Sequence, residues 1–203
     1  LINYVLEIEQ LMEAGGGWQD QIGGLYPGIK LIETNPANPD TFEIKTLFDS
    51  AFEQMCLLVD TEVRRKAANI LYSIRDKYSA RDAKTLWTLS SIRENAVYGW
   101  KCLQAKEYLK LGRLMYDSWK MVCEIEGNSR IELVDAIEDI VGDDLAGLKI
   151  GGAGGGGFIL VILNNPQRKE KAIERLKKEL GEKTKIYTPK FNKKLECKQI
   201  ERS

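Results

Sequence analysis

The sequence predicts an α+β chain in which several helices pack on a small, mostly antiparallel sheet. Three observations carry this. Apolar stripes of helical period fill the middle of the chain from Val63 to Ile140. Strand-sized apolar runs flank them, at residues 55–59 and 158–163. The 18 glycines cluster, six from Gly15 to Gly28 and eight from Gly142 to Gly157, with only four elsewhere. Such clusters lack the serine and polar residues of a linker, so they read as two backbone devices on one scaffold.

In chain order, Leu1, Tyr4, Val5, Ile8, Leu11 and Met12 recur at helical spacing, and Ala14-Gly15 ends that helix. A glycine loop follows. Residues 29–32 read as a short strand stopped by Asn35-Pro36 and Asn38-Pro39, and Phe42, Ile44 and Leu47 alternate as a second strand. Residues 55–59 read as a buried strand. The period then changes: Val63, Ala67, Ile70, Leu71, Ile74 and Tyr78 make one helix stripe, and residues 83–99 a second helix. A third helix is expected from Cys102 to Ile125, with Tyr108, Leu111, Met115, Trp119 and Val122 on one face. Ile131, Val134, Ile137 and Ile140 make a fourth. Beyond the second glycine loop, Phe158 to Leu163 is a strand. Asn165 and Pro166 start a helix that Gly181 ends after Lys177 and Lys178, and terminal strands are expected at residues 186–187 and 195–200.

Composition excludes whole classes of chemistry. The 203 residues include 30 basic and 30 acidic side chains and no histidine, which removes Ser-His-Asp triads, Cys-His dyads, His-ligated zinc and imidazole acid–base work. No metal-ligating set is expected. A formal charge of zero argues against nucleic acid as a partner. Residues 168–203 carry thirteen bases against six acids, but Tyr187 and Phe191 are the only aromatic residues among them, too few for the interleaving a nucleic-acid surface would need. This basic tail therefore reads as the solvated face of a helix plus edge-strand lysines. No apolar run has membrane-spanning length, so no membrane partner is expected. Cys56, Cys102, Cys123 and Cys197 have no C-x-x-C spacing and read as structural thiols of a reducing compartment, which makes the expected location cytoplasmic.

Two segments carry candidate chemistry. In Lys149-Ile150-Gly151-Gly152-Ala153-Gly154-Gly155-Gly156-Gly157-Phe158, the glycines' missing Cβ atoms let backbone N–H groups approach an anion such as a nucleotide phosphate. It is neither a Walker loop nor a Rossmann turn, since no Gly-Lys-Ser/Thr follows and a strand stands where a helix should. A close-packed glycine turn fits the same residues, and both readings stand. In Gly15-Gly16-Gly17-Trp18-Gln19-Asp20-Gln21-Ile22-Gly23-Gly24, the Asp20 carboxylate could accept or orient a hydroxyl proton, or serve only as a turn or cap residue.

Taken together, the two glycine segments resemble the GHMP family of small-molecule kinases, within it the branch that phosphorylates L-fucose. The first string with Pro27-Gly28-Ile29-Lys30 is similar to that branch's catalytic loop. Gly152 through Phe158 resembles the family's third motif, and Leu111-Gly112-Arg113-Leu114-Met115 with Trp119 its Leu-Gly-Arg-Leu…Trp helix. The resemblance implies an ATP-dependent kinase making the 1-phosphate of a sugar, L-fucose, with ATP and Mg²⁺ as cofactors and with sugar and ATP as small-molecule partners. It implies Asp20 as the catalytic carboxylate and Gly16, Gly17 and Trp18 at the sugar. It also implies Gly152, Ala153, Gly154, Gly155, Gly156 and Gly157 at the nucleotide phosphates. Phosphoryl transfer by positioning and charge stabilisation needs no histidine.

The sequence departs from the family in two places. The family's first motif and its Pro-x-x-x-Gly-Leu-Gly-Ser-Ser phosphate anchor are absent. The resemblance therefore implies a C-terminal portion, inactive alone, whose partner is the missing N-terminal half of the kinase. Residues 1–50 would be the remainder of the N-terminal domain and residues 51–203 the C-terminal domain. The second departure is Glu62, where relatives tend to have glycine. A heptose-phosphate kinase of the same family, with Gly-Lys-Gln-Asp-Gln in the first loop, is the rival substrate reading. A non-catalytic, kinase-derived pairing module is the rival of another class.

Overall fold

A computed structural model of the chain describes residues 19–35, 37–63, 67–129, 131–152 and 154–191. The expected opening helix and the expected strand at residues 195–200 lie outside them. The elements run α1 (Gln19–Leu25), β1 (Ile29–Asn35), β2 (Asn38–Leu47), α2 (Ser50–Met55), β3 (Cys56–Asp60), α3 (Ala67–Ser79), α4 (Ala83–Gln104), α5 (Tyr108–Ile125), α6 (Glu132–Val141), β4 (Leu145–Ile150), β5 (Phe158–Leu163), α7 (Lys169–Leu180) and β6 (Ile186–Tyr187). None of these helices is long and apolar enough to cross a membrane.

β1 and β2 form an antiparallel hairpin of their own, with Ile29 opposite Leu47 and Ile32 opposite Ile44. The other strands form a sheet of order β4-β5-β3-β6 in which every neighbouring pair is antiparallel. The path β3–α6–β4–β5–α7–β6 is the split β-α-β arrangement of ferredoxin-like domains, with α3, α4 and α5 inserted after β3. The α+β architecture on a small antiparallel sheet is thus the one observed.

Period-2 alternation gives the four-stranded sheet two distinct faces. Leu57, Val59, Leu148, Ile150, Ile159, Val161 and Leu163 point to one, where they meet Val134, Ile137 and Val141 of α6 and Ala172 and Leu176 of α7. Cys56 and Ile162 point to the other, toward Phe52, Met55, Cys102, Leu103 and Leu111. Helix α5 lies along edge strand β4 and gives Leu111, Leu114 and Met115 to the second cluster and Trp119 and Tyr116 to the first. This covers the exposed side of the edge strand. The contact is backbone to backbone: a Cβ on Gly147 would lie 2.0 Å from the Gly112 carbonyl oxygen.

Four local differences from the sequence reading have physical causes. The first glycine segment is not all loop, because residues 19–25 are helical with Gly23 and Gly24 inside and Ile22 fully buried. A short helix, α2, precedes β3; the Asp49 carboxylate accepts from the Ala51 and Phe52 amides and seats Phe52 and Met55 in the core. The third helix starts at Tyr108 rather than Cys102. α4 ends in a Schellman turn in which Lys106 N donates to Leu103 O and Glu107 N to Cys102 O, with Lys106 left-handed at φ 60°. A lysine in the place glycine usually takes conceals that stop from the sequence. Finally, β4 breaks the second glycine cluster in two. By contrast, β5 and the start of α7, where Asn165 Oδ1 accepts from Gln167 N ahead of Lys169, stand where the sequence puts them.

Candidate functional site

The second glycine segment is the hairpin between β4 and β5, closed by Gly151 N donating to Phe158 O at 2.8 Å. Two neighbours sew it down. Gly155 N donates to Ser129 O (3.1 Å) and Gly157 N to Val63 O (3.1 Å), while Thr61 N donates to Gly157 O (2.9 Å). Glycine is required by close approach: a Cβ on Gly154 would stand 2.8 Å from Ser129 O, and one on Gly156 2.4 Å from Val63 O. The amides of Gly155 and Gly157 are therefore spent within the fold. Those of Gly152, Gly154 and Gly156 have no hydrogen-bond partner among the described residues. The loop is thus a close-packed glycine turn that leaves three of its amides without a partner among the described residues. Ala153 lies outside the described residues.

The strap against this hairpin, Asp60 to Val63, contains the sequence's second departure. Glu62 takes a left-handed conformation at φ 54°, the geometry that glycine enters without steric cost. Local bonds hold it there: Glu62 N donates to the Asp60 carboxylate (2.9 Å), Val63 N to Thr61 Oγ1 (3.2 Å), and the Glu62 carboxylate pairs with Lys185 (2.9 Å). That pairing holds the Lys185 ammonium above its usual pKa.

Asp20 is the second residue of α1, and Gly16, Gly17 and Trp18 lie outside the described residues. The helix is tied to β1 by Lys30, whose ammonium donates to the carbonyls of Gly23, Tyr26 and Gly28. A cation on the carbonyl end of a helix satisfies groups that lack intrahelical partners. Burial lowers the pKa of Lys30.

Between β1, the helices α4 and α5 and the second face of the four-stranded sheet lies a cavity of about 510 Å³. Its walls include Leu58, Trp100, Leu114, Met115 and Leu160, and one charged residue of the sheet, Lys149. Sequence reasoning includes Lys149 in the glycine segment but gives it no role of its own. Its register was the available signal: Leu148 and Ile150 are buried on one face, so Lys149 between them points to the other. Cys56 and Cys102 are buried free thiols, and burial pushes the Cys56 thiol up to about 12, which suits a packing role. Among the described residues no group of three or more His, Cys, Asp or Glu side chains is placed to hold a metal ion.

The family helix motif has a packing role here. Gly112 admits the β4 backbone, and Trp119 is buried in the first core cluster, stacked on Tyr116 at 6.0 Å.

Comparison with known proteins adds to this geometry. Residues 101–182, from the last turn of α4 to just past α7, match the family model described as GHMP kinases C terminal. The chain is 34% identical over 188 residues to the bifunctional fucokinase/GDP-fucose pyrophosphorylase of Arabidopsis thaliana, covering 90% of this chain and 18% of that protein. It is 31% identical over 182 residues to the L-fucokinase/L-fucose-1-P guanylyltransferase of Bacteroides fragilis, covering 87% and 19%. The chain thus spans less than a fifth of the length of these curated relatives. Among solved structures it superposes on L. major mevalonate kinase in complex with R-mevalonate (TM-score 0.66, 16% identity, 80% of this chain and 48% of that one). It also superposes on Lactococcus lactis galactokinase complexed with galactose (TM-score 0.62, 15% identity, 88% and 56%). Those two likenesses are of fold.

Proposed function

Since the chain carries a GHMP kinase C-terminal domain, we propose that it is the C-terminal part of an ATP-dependent kinase that phosphorylates the anomeric hydroxyl of L-fucose. The observation that carries this reading is the β4–β5 glycine hairpin. It offers the unbonded amides of Gly152, Gly154 and Gly156 on a loop whose shape is locked from two sides. Such a preorganised row of N–H donors suits phosphate oxygens and needs no rearrangement as charge develops on them. ATP enters as a substrate with its Mg²⁺. Among the described residues no carboxylate cluster is placed to hold a resident ion.

In the intact enzyme Asp20 orients the sugar hydroxyl and accepts its proton as the new O–P bond to the γ-phosphorus forms and the bond to the β–γ bridging oxygen breaks, releasing ADP. Gly16 and Gly17 let the backbone approach the sugar, and Trp18 flanks it. Gly152 through Gly157, Ala153 included, border the nucleotide phosphates. The β1–β2 hairpin forms a sheet separate from β3–β6, which supports assigning residues 1–50 to an N-terminal domain completed by the rest of the protein and residues 51–203 to the C-terminal domain.

The test is turnover of L-fucose and ATP by the full-length protein that contains this chain. Asp20→Asn should lower kcat by about 10²- to 10⁴-fold. Undiminished turnover would remove Asp20 from the mechanism, and faster turnover of a heptose phosphate than of L-fucose would replace the substrate.

A further inference from the structure

The cavity behind β1 is distinct from the glycine hairpin, and its charge is unbalanced. Among the described residues its lining has three titratable side chains, Lys30, Cys56 and Lys149, and no carboxylate. Lys30 is occupied by three backbone carbonyls. The polar pair on the helical wall is occupied as well, with Asn95 Nδ2 donating to Ser118 Oγ (3.1 Å) and Ser118 Oγ to Leu114 O (2.7 Å). The Lys149 ammonium has no hydrogen bond or ion pair among the described residues. Burial lowers its pKa, and no neighbouring charge opposes that shift. A partly desolvated ammonium without a counter-charge costs the fold free energy that an apolar residue at the same place would not.

The space is the size of a small-molecule site, with largely apolar walls and few polar groups to orient a guest. We propose that this cavity binds a small amphiphilic anion, its apolar body against Trp100, Leu114, Met115 and Leu160 and its anionic head paired with Lys149. The guest is neither L-fucose, which is neutral and has no apolar body, nor the nucleotide of the glycine hairpin. The site therefore stands whether or not the kinase reading does.

The probes are 8-anilinonaphthalene-1-sulfonate and its uncharged counterpart N-phenyl-1-naphthylamine, titrated by fluorescence against the full-length protein that contains this chain. One sulfonate probe per chain should bind saturably. Lys149→Met should weaken the sulfonate about tenfold or more while leaving the uncharged probe within about twofold, and Lys149→Arg should retain both. Ala96→Phe, which fills the cavity from the helical wall, should weaken both probes alike. A Lys149→Gln variant serves if the methionine variant does not melt cooperatively. Sulfonate binding that is unsaturable, or equally tight without the Lys149 charge, would overturn the proposal.

Discussion

On one face of the four-stranded sheet, Leu57, Val59, Leu148, Ile150, Ile159, Val161 and Leu163 are all at 0% exposure beneath α6 and α7. On the other, the alternate residues of the same strands include Leu58, Lys149 and Leu160, which border a cavity of about 510 Å³. One face is packed to the density of a protein interior, and the other is held open by β1 and by α4 and α5. The chain fills the first face throughout and keeps room on part of the second, beside the buried cluster of Phe52, Cys56 and Ile162. Stability and binding are thus divided between neighbouring residues of the same strands.

Substitutions can break or sharpen that contrast. The largest effect belongs to the point where α5 meets the edge of the sheet. Gly147→Ala places a methyl 2.0 Å from a backbone oxygen that cannot retreat without moving the whole helix, and should cost about 4 kcal/mol or more by denaturant titration. Next, truncating adjacent residues of β5 should give unequal losses: about 3 kcal/mol for Ile159→Ala on the sealed face and about 1 kcal/mol for Leu160→Ala on the open one. Equal losses would mean that both faces are equally packed.

The smallest effect has the opposite sign. Lys149→Met should raise the thermal midpoint at neutral pH, because it removes a desolvated charge. The gain should shrink as pH climbs toward 10.5: wild-type Lys149 discharges first in the folded chain, the unfolded chain then binds more protons, and wild-type stability rises. Of the other titratable groups on the cavity, Lys30 is common to both proteins, and the Cys56 thiol, at about 12, lies above that window. A midpoint gap that is unchanged with pH would show that the lysine is already solvated.

What the sequence discloses follows the same division. β5 could be read because its residues are apolar on both faces, and α7 because Asn165, Pro166 and Gly181 mark its ends chemically. β4 could not, since Gly147 and Lys149 interrupt its apolar pattern for reasons of packing and of the cavity, neither of which is local. The boundary of α4 and α5 was hidden by a lysine in a left-handed turn. The glycine motifs were recognisable as a string, yet only the fold separates the amides tied to Ser129 and Val63 from those left over.

The pairing of β3 with β5 joins Cys56 to Ile162 and Asp60 to Phe158, and everything between, three long helices included, lies inside that closure. β4 and β5 meet across a single glycine hairpin, and α4 and α5 across a three-residue turn. Loop-closure entropy favours the short connections, so the hairpin and the helix pair form early. The pairing of β3 with β5 closes about a hundred residues and so carries the larger loop-closure entropy. Both faces of the sheet therefore depend on that one long closure, the sealed face through Leu57 and Val59 and the open face through Cys56 and Leu58.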